Sequence, residues 1–271
     1  MGQEADVWRS HLALAGGTAN EREPEMEKVN GLQDWRVAAL YDRLNTSRQD
    51  TDFYVRLAKT LHASAVADLG CGTGVLATAL ARPDREIFGV DPSAAMLDVA
   101  RRREGAEAVR WIEGDARHLP RSLDLVLMTG HVAQAIVDEE TWQHTLTACF
   151  DSLAPGGVLA FESRNPSARA WERWTRADTF ERLDDTPLGP VAVWDEVTTV
   201  VDAVVSFEGH ILVRETGDHL VSYEALRFRS RAGLVNDVER AGFLSREMYG
   251  DWSGTPVTGT SPELIVVARR P

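Results

Sequence analysis

From residue 64 to residue 163 short apolar runs alternate with stretches of helical period. Residues 64–70 ("SAVADLG"), 86–91 ("EIFGVD"), 108–115 ("AVRWIEGD"), 123–130 ("LDLVLMTG") and 156–163 ("GGVLAFES") read as strands. Residues 74–82, 93–105 and 139–154 carry apolar side chains at helical spacing, with Ser93 placed as an N-cap. Strand and helix in strict alternation predict a parallel sheet covered on both faces. Ahead of it, Trp35, Leu40, Tyr41 and Leu44, then Phe53, Tyr54, Leu57 and Leu61, recur as two amphipathic helices would.

The pattern changes after residue 163. Residues 164–183, rich in Arg and Trp, read as helical or irregular, and residues 191–230 alternate apolar and polar with turns expected at Glu208-Gly209 and Gly217-Asp218. That predicts antiparallel strands. Residues 231–243 return to helix, Leu234, Val235 and Val238 inward and Gly242 as the stop, and residues 245–251 and 262–270 close the fold as strands. The expected division is a mobile N-terminal arm over 1–30, a helical lid over 31–62, a cofactor-binding core over 63–162, a substrate cap inserted over 163–230, and completion of the core sheet by 231–271.

Composition narrows the classes. The 271 residues suffice for one large α/β domain with an insertion. A formal net charge of -13 disfavours nucleic acid or an anionic membrane as partner, because either would be repelled. The cysteines, Cys71 and Cys149, form no CxxC and fit a reducing compartment. The first residues lack a basic start and a long apolar run, and no stretch approaches the ~20 apolar residues of a membrane span. The expectation is a soluble cytoplasmic protein.

The chemistry starts at "VADLGCGTGVLATALA", residues 66–81, where Asp68-x-Gly70-x-Gly72-x-Gly74 joins a strand to a helix. Glycine there lets the backbone turn sharply and lets a ligand come closer than a Cβ would allow. A dinucleotide fingerprint would need a further glycine at position 75, which is Val75. Asp68 also puts negative charge where a pyrophosphate would lie, and suits a ligand carrying an ammonium or sulfonium. The next strand ends in Asp91, where sheets of this type hold two ribose hydroxyls on a carboxylate. The third ends at Asp115. All three acids sit at carboxyl ends of neighbouring strands, the ligand crevice of an open α/β sheet.

The motifs "VADLGCGTG", "GVDPS", "EGDARHLP", "LDLVLMTGH" and "LAPGGVLAFES", in that order, resemble the class I S-adenosylmethionine (SAM)-dependent methyltransferases from about residue 35 to the end. The resemblance implies a Rossmann-like, mostly parallel seven-stranded sheet with helices on both faces. It implies SAM as cofactor, with Asp68, Gly70, Gly72 and Gly74 around its methionine part, Asp91 on the ribose, Met96 near adenine, and Asp115 with Ala116 at the adenine amine. Cys71, Pro92, Gly114 and Thr129 complete the implied cofactor set, Cys71 as a small filler of the loop. The region 163–228 looks like the antiparallel cap of small-molecule methyltransferases such as those acting on amino sugars. In place of Asn/Asp-Pro-Pro-Tyr the fourth strand leads into "MTGHVAQ", which disfavours DNA and glutamine methylation. No acid stands there for magnesium and no HExxH occurs, so no metal is expected.

The implied reaction is methyl transfer to an O or N nucleophile of a small molecule by in-line displacement. His131 is the candidate general base, with packing beside the cofactor as its other reading. Tyr41 and Phe53 are candidates to close over the site, and Arg164, Asn165, Trp171, Trp174 and Tyr223 for the substrate wall, cap packing being the other reading of the tryptophans. Two other classes stay open at this point: a SAM-binding protein with other or no transfer chemistry, and a nicotinamide-dependent oxidoreductase.

Overall fold

The computed structural model describes residues 26–271, so the expected arm lies outside the described residues as far as residue 25. Two sheets are present among the described residues. The larger is assembled from β2 (Ala65–Leu69), β3 (Glu86–Asp91), β4 (Val109–Glu113), β5 (Leu123–Met128), β6 (Leu153–Arg164), β11 (Ser245–Tyr249) and β12 (Glu263–Arg269) in the order β11-β12-β6-β5-β2-β3-β4. β2 pairs in parallel with β3 on one side and β5 on the other. Chain order therefore reverses at β2, which opens a crevice at the carboxyl ends of these strands. β12 alone runs antiparallel to β6.

The strands are apolar almost throughout because both faces are covered. Ala67, Val126, Leu159 and Leu264 pack on one face with Trp142 and Leu146 of α6 (Glu139–Ser152) and Leu234 of α8 (Arg231–Arg240). Val66, Leu125, Leu127, Val158 and Ala160 pack on the other with Tyr54 and Ala58 of α2 (Gln49–Thr60) and Leu76 and Leu80 of α3 (Val75–Leu80). Side-chain caps fix the helix starts: Asp34 accepts from Arg36 N at α1 (Trp35–Leu44), Ser93 from Met96 N at α4 (Ala94–Ala100), and Asp138 from Thr141 N at α6. α5 (Val132–Ala135) is a single turn after β5. No described helix is long and apolar enough to cross a membrane.

The second sheet is the inserted cap, ordered β1-β10-β9-β8-β7 from β1 (Met26–Val29), β7 (Glu181–Leu183), β8 (Val191–Val201), β9 (Val204–Val213) and β10 (His219–Arg227). Residues 166–179 ahead of it form short 3-10 turns and the four-residue α7 (Arg176–Thr179). Two expectations change. Residues 26–29 are not part of a mobile arm: they pair in parallel with β10 at the sheet edge. Arg36 of α1 bonds both Glu27 of that strand and Asp34. α1, in the region expected to be a lid, is correspondingly built in, with Leu40 buried among Val191, Val193, Ile211, Val213 and Leu220 of the second sheet.

The first cap turn is also not at Glu208-Gly209. It falls at Asp202-Ala203, both in the left-handed region (φ +47° and +65°), the pattern of a two-residue type I′ hairpin. Gly209 lies mid-strand opposite Asp195 and Ser222. It is needed there because a Cβ would come within 2.8 Å of Ser222 Oγ. A glycine that permits close strand approach is easily mistaken for one that permits a turn. Ala203→Gly is therefore expected to raise stability by about 1 kcal/mol, read by chemical denaturation, since an alanine in this region is disfavoured by roughly that much. An unchanged or lower midpoint would contradict the turn assignment.

Candidate active site

The loop after β2 is shaped by three left-handed glycines, Gly70, Gly72 and Gly74 (φ +74°, +52° and +78°). At Gly70 close approach adds to the backbone requirement: a Cβ would collide with Val132, the first residue of α5. The loop is tied to β3 through Gly70 N and Cys71 N, which donate to Val90 O at 2.7 and 3.1 Å. Asp91 at the tip of β3 accepts from Gly72 N on one oxygen and from Ser93 N on the other, each at 2.8 Å. Thr73 Oγ1 donates to Asp42 of α1 at 2.6 Å, and Arg103 bonds both Asp42 and Thr73 O. α1 is thus fastened to the glycine loop.

Asp68 is 1% exposed and neither carboxylate oxygen has a partner of hydrogen-bond geometry among the described residues. Burial, with repulsion from Asp91 and Glu162, pushes its carboxyl up to about 8, against a small opposing effect of the Ala77 amide. Burial likewise raises Asp91 and pushes the Cys71 thiol up, which leaves that cysteine no nucleophile. A buried acid without a counter-charge is an expensive arrangement. A cationic ligand group beside Asp68 would relieve it.

Register brings further acids to the same side. Asp68 lies beside Leu127 of β5, Leu127 beside Ala160 of β6, and Glu162 follows two residues on, on the same face. Glu162 is 1% exposed, with its carboxyl raised by burial. One oxygen accepts from Tyr54 Oη of α2 and the other from His131 N at 2.8 Å. His131 Nε2 stands 3.2 and 3.1 Å from the two oxygens of Glu263 at the start of β12. Arg164, which pairs with Glu263 across the ladder, donates to Gln134 Oε1 at 3.1 Å and lies 5.3 Å from the Trp174 ring centre. The cap contributes Asp195, Ser222 and Glu224, on the sheet face that carries Val193, Ile211 and Leu220 towards α1. Burial raises the carboxyls of both Asp195 and Glu224.

The remaining sequence-predicted residues divide. Tyr41 belongs to the crevice, its hydroxyl 3.5 Å from where a Cβ on Gly130 would be, and burial together with Asp91 raises its own ionisation. Met96 is buried with its methyl against Gly72, and Ala116 is buried. Pro92 O accepts from Gln33, and Gly114 N donates to Asp91 O at 3.0 Å. Thr129 is half-buried where β5 ends. Asp115 is occupied locally: Arg117 and His118 bond it, and the Arg117 guanidinium holds its carboxyl down at about 2. Trp174 packs on Phe207 and Trp171 on Phe228, between β6 and the cap.

Three candidates are not brought to the crevice. Phe53 packs edge-on against Tyr249 and Trp252, while its neighbour Tyr54 makes the polar contact. Asn165 spends its side chain on Ser167 N and Ser261 O, closing a loop. Tyr223 is 53% exposed on the opposite face of the cap, with Lys28 over its ring. Period-two alternation puts Ser222 and Glu224 inward instead. A cavity of about 370 Å³ lies elsewhere, between Asn165, Ser230 and Val257.

Residues 66–157, from β2 to the start of β6, match the family model described as a methyltransferase domain. The cypemycin N-terminal methyltransferase of Streptomyces sp is 26% identical over 219 residues, 80% of this chain and 87% of that protein. Residues 66–157 thus carry a methyltransferase domain, and the chain is similar to class I SAM-dependent methyltransferases. The fold agrees with that of a methyltransferase from Streptomyces caelestis, at TM-score 0.72 and 20% identity over 89% of this chain and 98% of that one. An amino pentose methyltransferase from Micromonospora echinaspora gives TM-score 0.64 and 21% identity over 85% and 95% of the two chains. SAM is the methyltransferase's cofactor, and the unpartnered Asp68 and the half-bonded Asp91 fit its ammonium and ribose.

The raised Asp68 carboxyl has a measurable sign. The folded protein holds a proton that the unfolded chain releases near the ordinary aspartate value of 3.8, so stability falls as pH rises from there towards 8. Asp68→Asn removes this dependence. Thermal melts of the ligand-free protein should show the wild type losing ground to the variant progressively between about pH 4 and pH 8. A pH-independent gap would contradict the buried, uncompensated carboxylate.

Proposed function

We propose that this methyltransferase moves a methyl group to a nucleophilic O or N of a small molecule held between the glycine loop and the cap, with an amine as the favoured acceptor. The observation that carries the amine reading is the set of acids around the crevice: burial raises the carboxyls of Asp195 and Glu224, and only Asp195 feels opposing positive charge, from His210 and Arg164. A cationic acceptor would supply the missing counter-charge. An N-terminal methyltransferase and an amino pentose methyltransferase among the similar proteins are named for amine-bearing substrates.

Bound SAM supplies a methyl group activated by its sulfonium. The chain's own work is to hold, align and dry the reactants for in-line displacement. Asp68 would take the ammonium and Asp91 both ribose hydroxyls. Tyr41 and the cap would exclude water above them. The Arg164 and Trp174 pair would form the substrate wall, Trp171 packing behind it.

Asp91→Ala should lower affinity for S-adenosylhomocysteine by roughly 2–4 kcal/mol through loss of two charge-assisted hydrogen bonds, and a change under about 1 kcal/mol by calorimetry would refute the ribose role. A gain of 14 mass units on a panel of small amines tests the reaction itself, and Asp195→Asn should raise KM for such an amine while leaving S-adenosylhomocysteine affinity in place. Tyr223→Ala should leave turnover unchanged. Methylation of neutral alcohols alone, with Asp195→Asn silent, would overturn the amine reading.

A further inference from the structure

His131 has two features that packing beside a cofactor does not require. It is a non-glycine residue in the left-handed region (φ +63°), directly after Gly130 at φ +67°. Such a conformation is disfavoured by about 1–2 kcal/mol for an ordinary side chain, and the bond from His131 N to the buried Glu162 holds it. That turn carries the imidazole to the last strand of the sheet, where Nε2 meets both oxygens of Glu263. The two side chains are largely shielded, 19% and 13% exposed.

A carboxylate can only accept, so the hydrogen of a neutral His131 lies on Nε2 and the lone pair on Nδ1. Nδ1 has no partner among the described residues, yet is absent from the polar atoms sealed from solvent without one. We propose that Glu263 is a positioning residue for His131, holding the imidazole so that Nδ1 is the proton acceptor for the incoming nucleophile. This rests on the transfer reading above. An acceptor ammonium gives one N–H proton to Nδ1. The freed lone pair bonds the methyl carbon as the carbon–sulfur pair returns to sulfur. The imidazolium, neutralised by Glu263, then returns the proton to solvent.

The experiment combines kinetics with nitrogen NMR on the full-length protein. The 15N shifts of His131 in the S-adenosylhomocysteine complex should report the Nε2-protonated form. Glu263→Gln, which can either accept from or donate to Nε2, should erase that preference. Turnover of Glu263→Gln and Glu263→Ala should fall about 10²-fold, with S-adenosylhomocysteine affinity within about twofold of wild type as a check on folding. His131→Ala/Glu263→Ala should be no slower than His131→Ala, because groups acting as one unit do not add. Additive losses, a Glu263→Gln turnover within about threefold of wild type, or an Nδ1-protonated His131 would each overturn the assignment. A wild-type protein that methylates no amine would overturn the transfer reading instead, and the nitrogen shifts would still decide where the His131 proton lies.

Discussion

Negative charge gathered at the carboxyl ends of β2, β3 and β6 is the constraint around which this molecule is organised. Asp68, Asp91 and Glu162 are all nearly inaccessible, and burial raises the carboxyl of each. In an apolar core such a cluster would be replaced at a gain in stability. Here it is kept, and the surrounding backbone partly compensates it: amides of Gly72, Ser93 and His131 point at Asp91 and Glu162. Asp68 is the member with neither carboxylate oxygen in a hydrogen bond of good geometry, only the Ala77 amide acting on it in that direction.

The rest of the fold is fastened to this cluster. Tyr54 links α2 to Glu162, and Asp42, Thr73 and Arg103 link α1 to the glycine loop. From the far side, Arg227 and Arg229 at the end of β10 donate to Val137, Ala133 and Ile136 carbonyls, clamping the segment that follows His131. Arg229 also lies over the Trp142 ring. The N-terminal helices, the large sheet and the second sheet are therefore all tied to the surroundings of one crevice.

Much of this was legible in the sequence, for definable reasons. Continuous apolar strands, glycines in sequence after Asp68, and an acid closing β3 are local signals, and the sheet and its crevice follow from them. Long-range pairing was not legible. Nothing near Glu162 or Glu263 marks them, since each looks like an ordinary charge at a strand end. Only the antiparallel pairing of β12 with β6 brings Glu263 within reach of His131. Tyr223 and Phe53 show the same limit: each is an aromatic whose neighbour, Glu224 or Tyr54, has the inward position. Gly209 misled because close strand approach and a turn ask for the same residue, whereas the real turn at Asp202-Ala203 contains no glycine.

Asp68 is kept in an unfavourable state which a cationic ligand group would relieve. With its carboxyl raised to about 8 it is mostly protonated at pH 7 in the ligand-free protein, and an ammonium beside it would drive that proton off. Titrating S-adenosylhomocysteine at pH 7 in buffers of different ionisation enthalpy measures the proton count directly. The account predicts release of about one proton per site, abolished in Asp68→Asn. Binding heats independent of the buffer, with the wild type and Asp68→Asn alike, would contradict it.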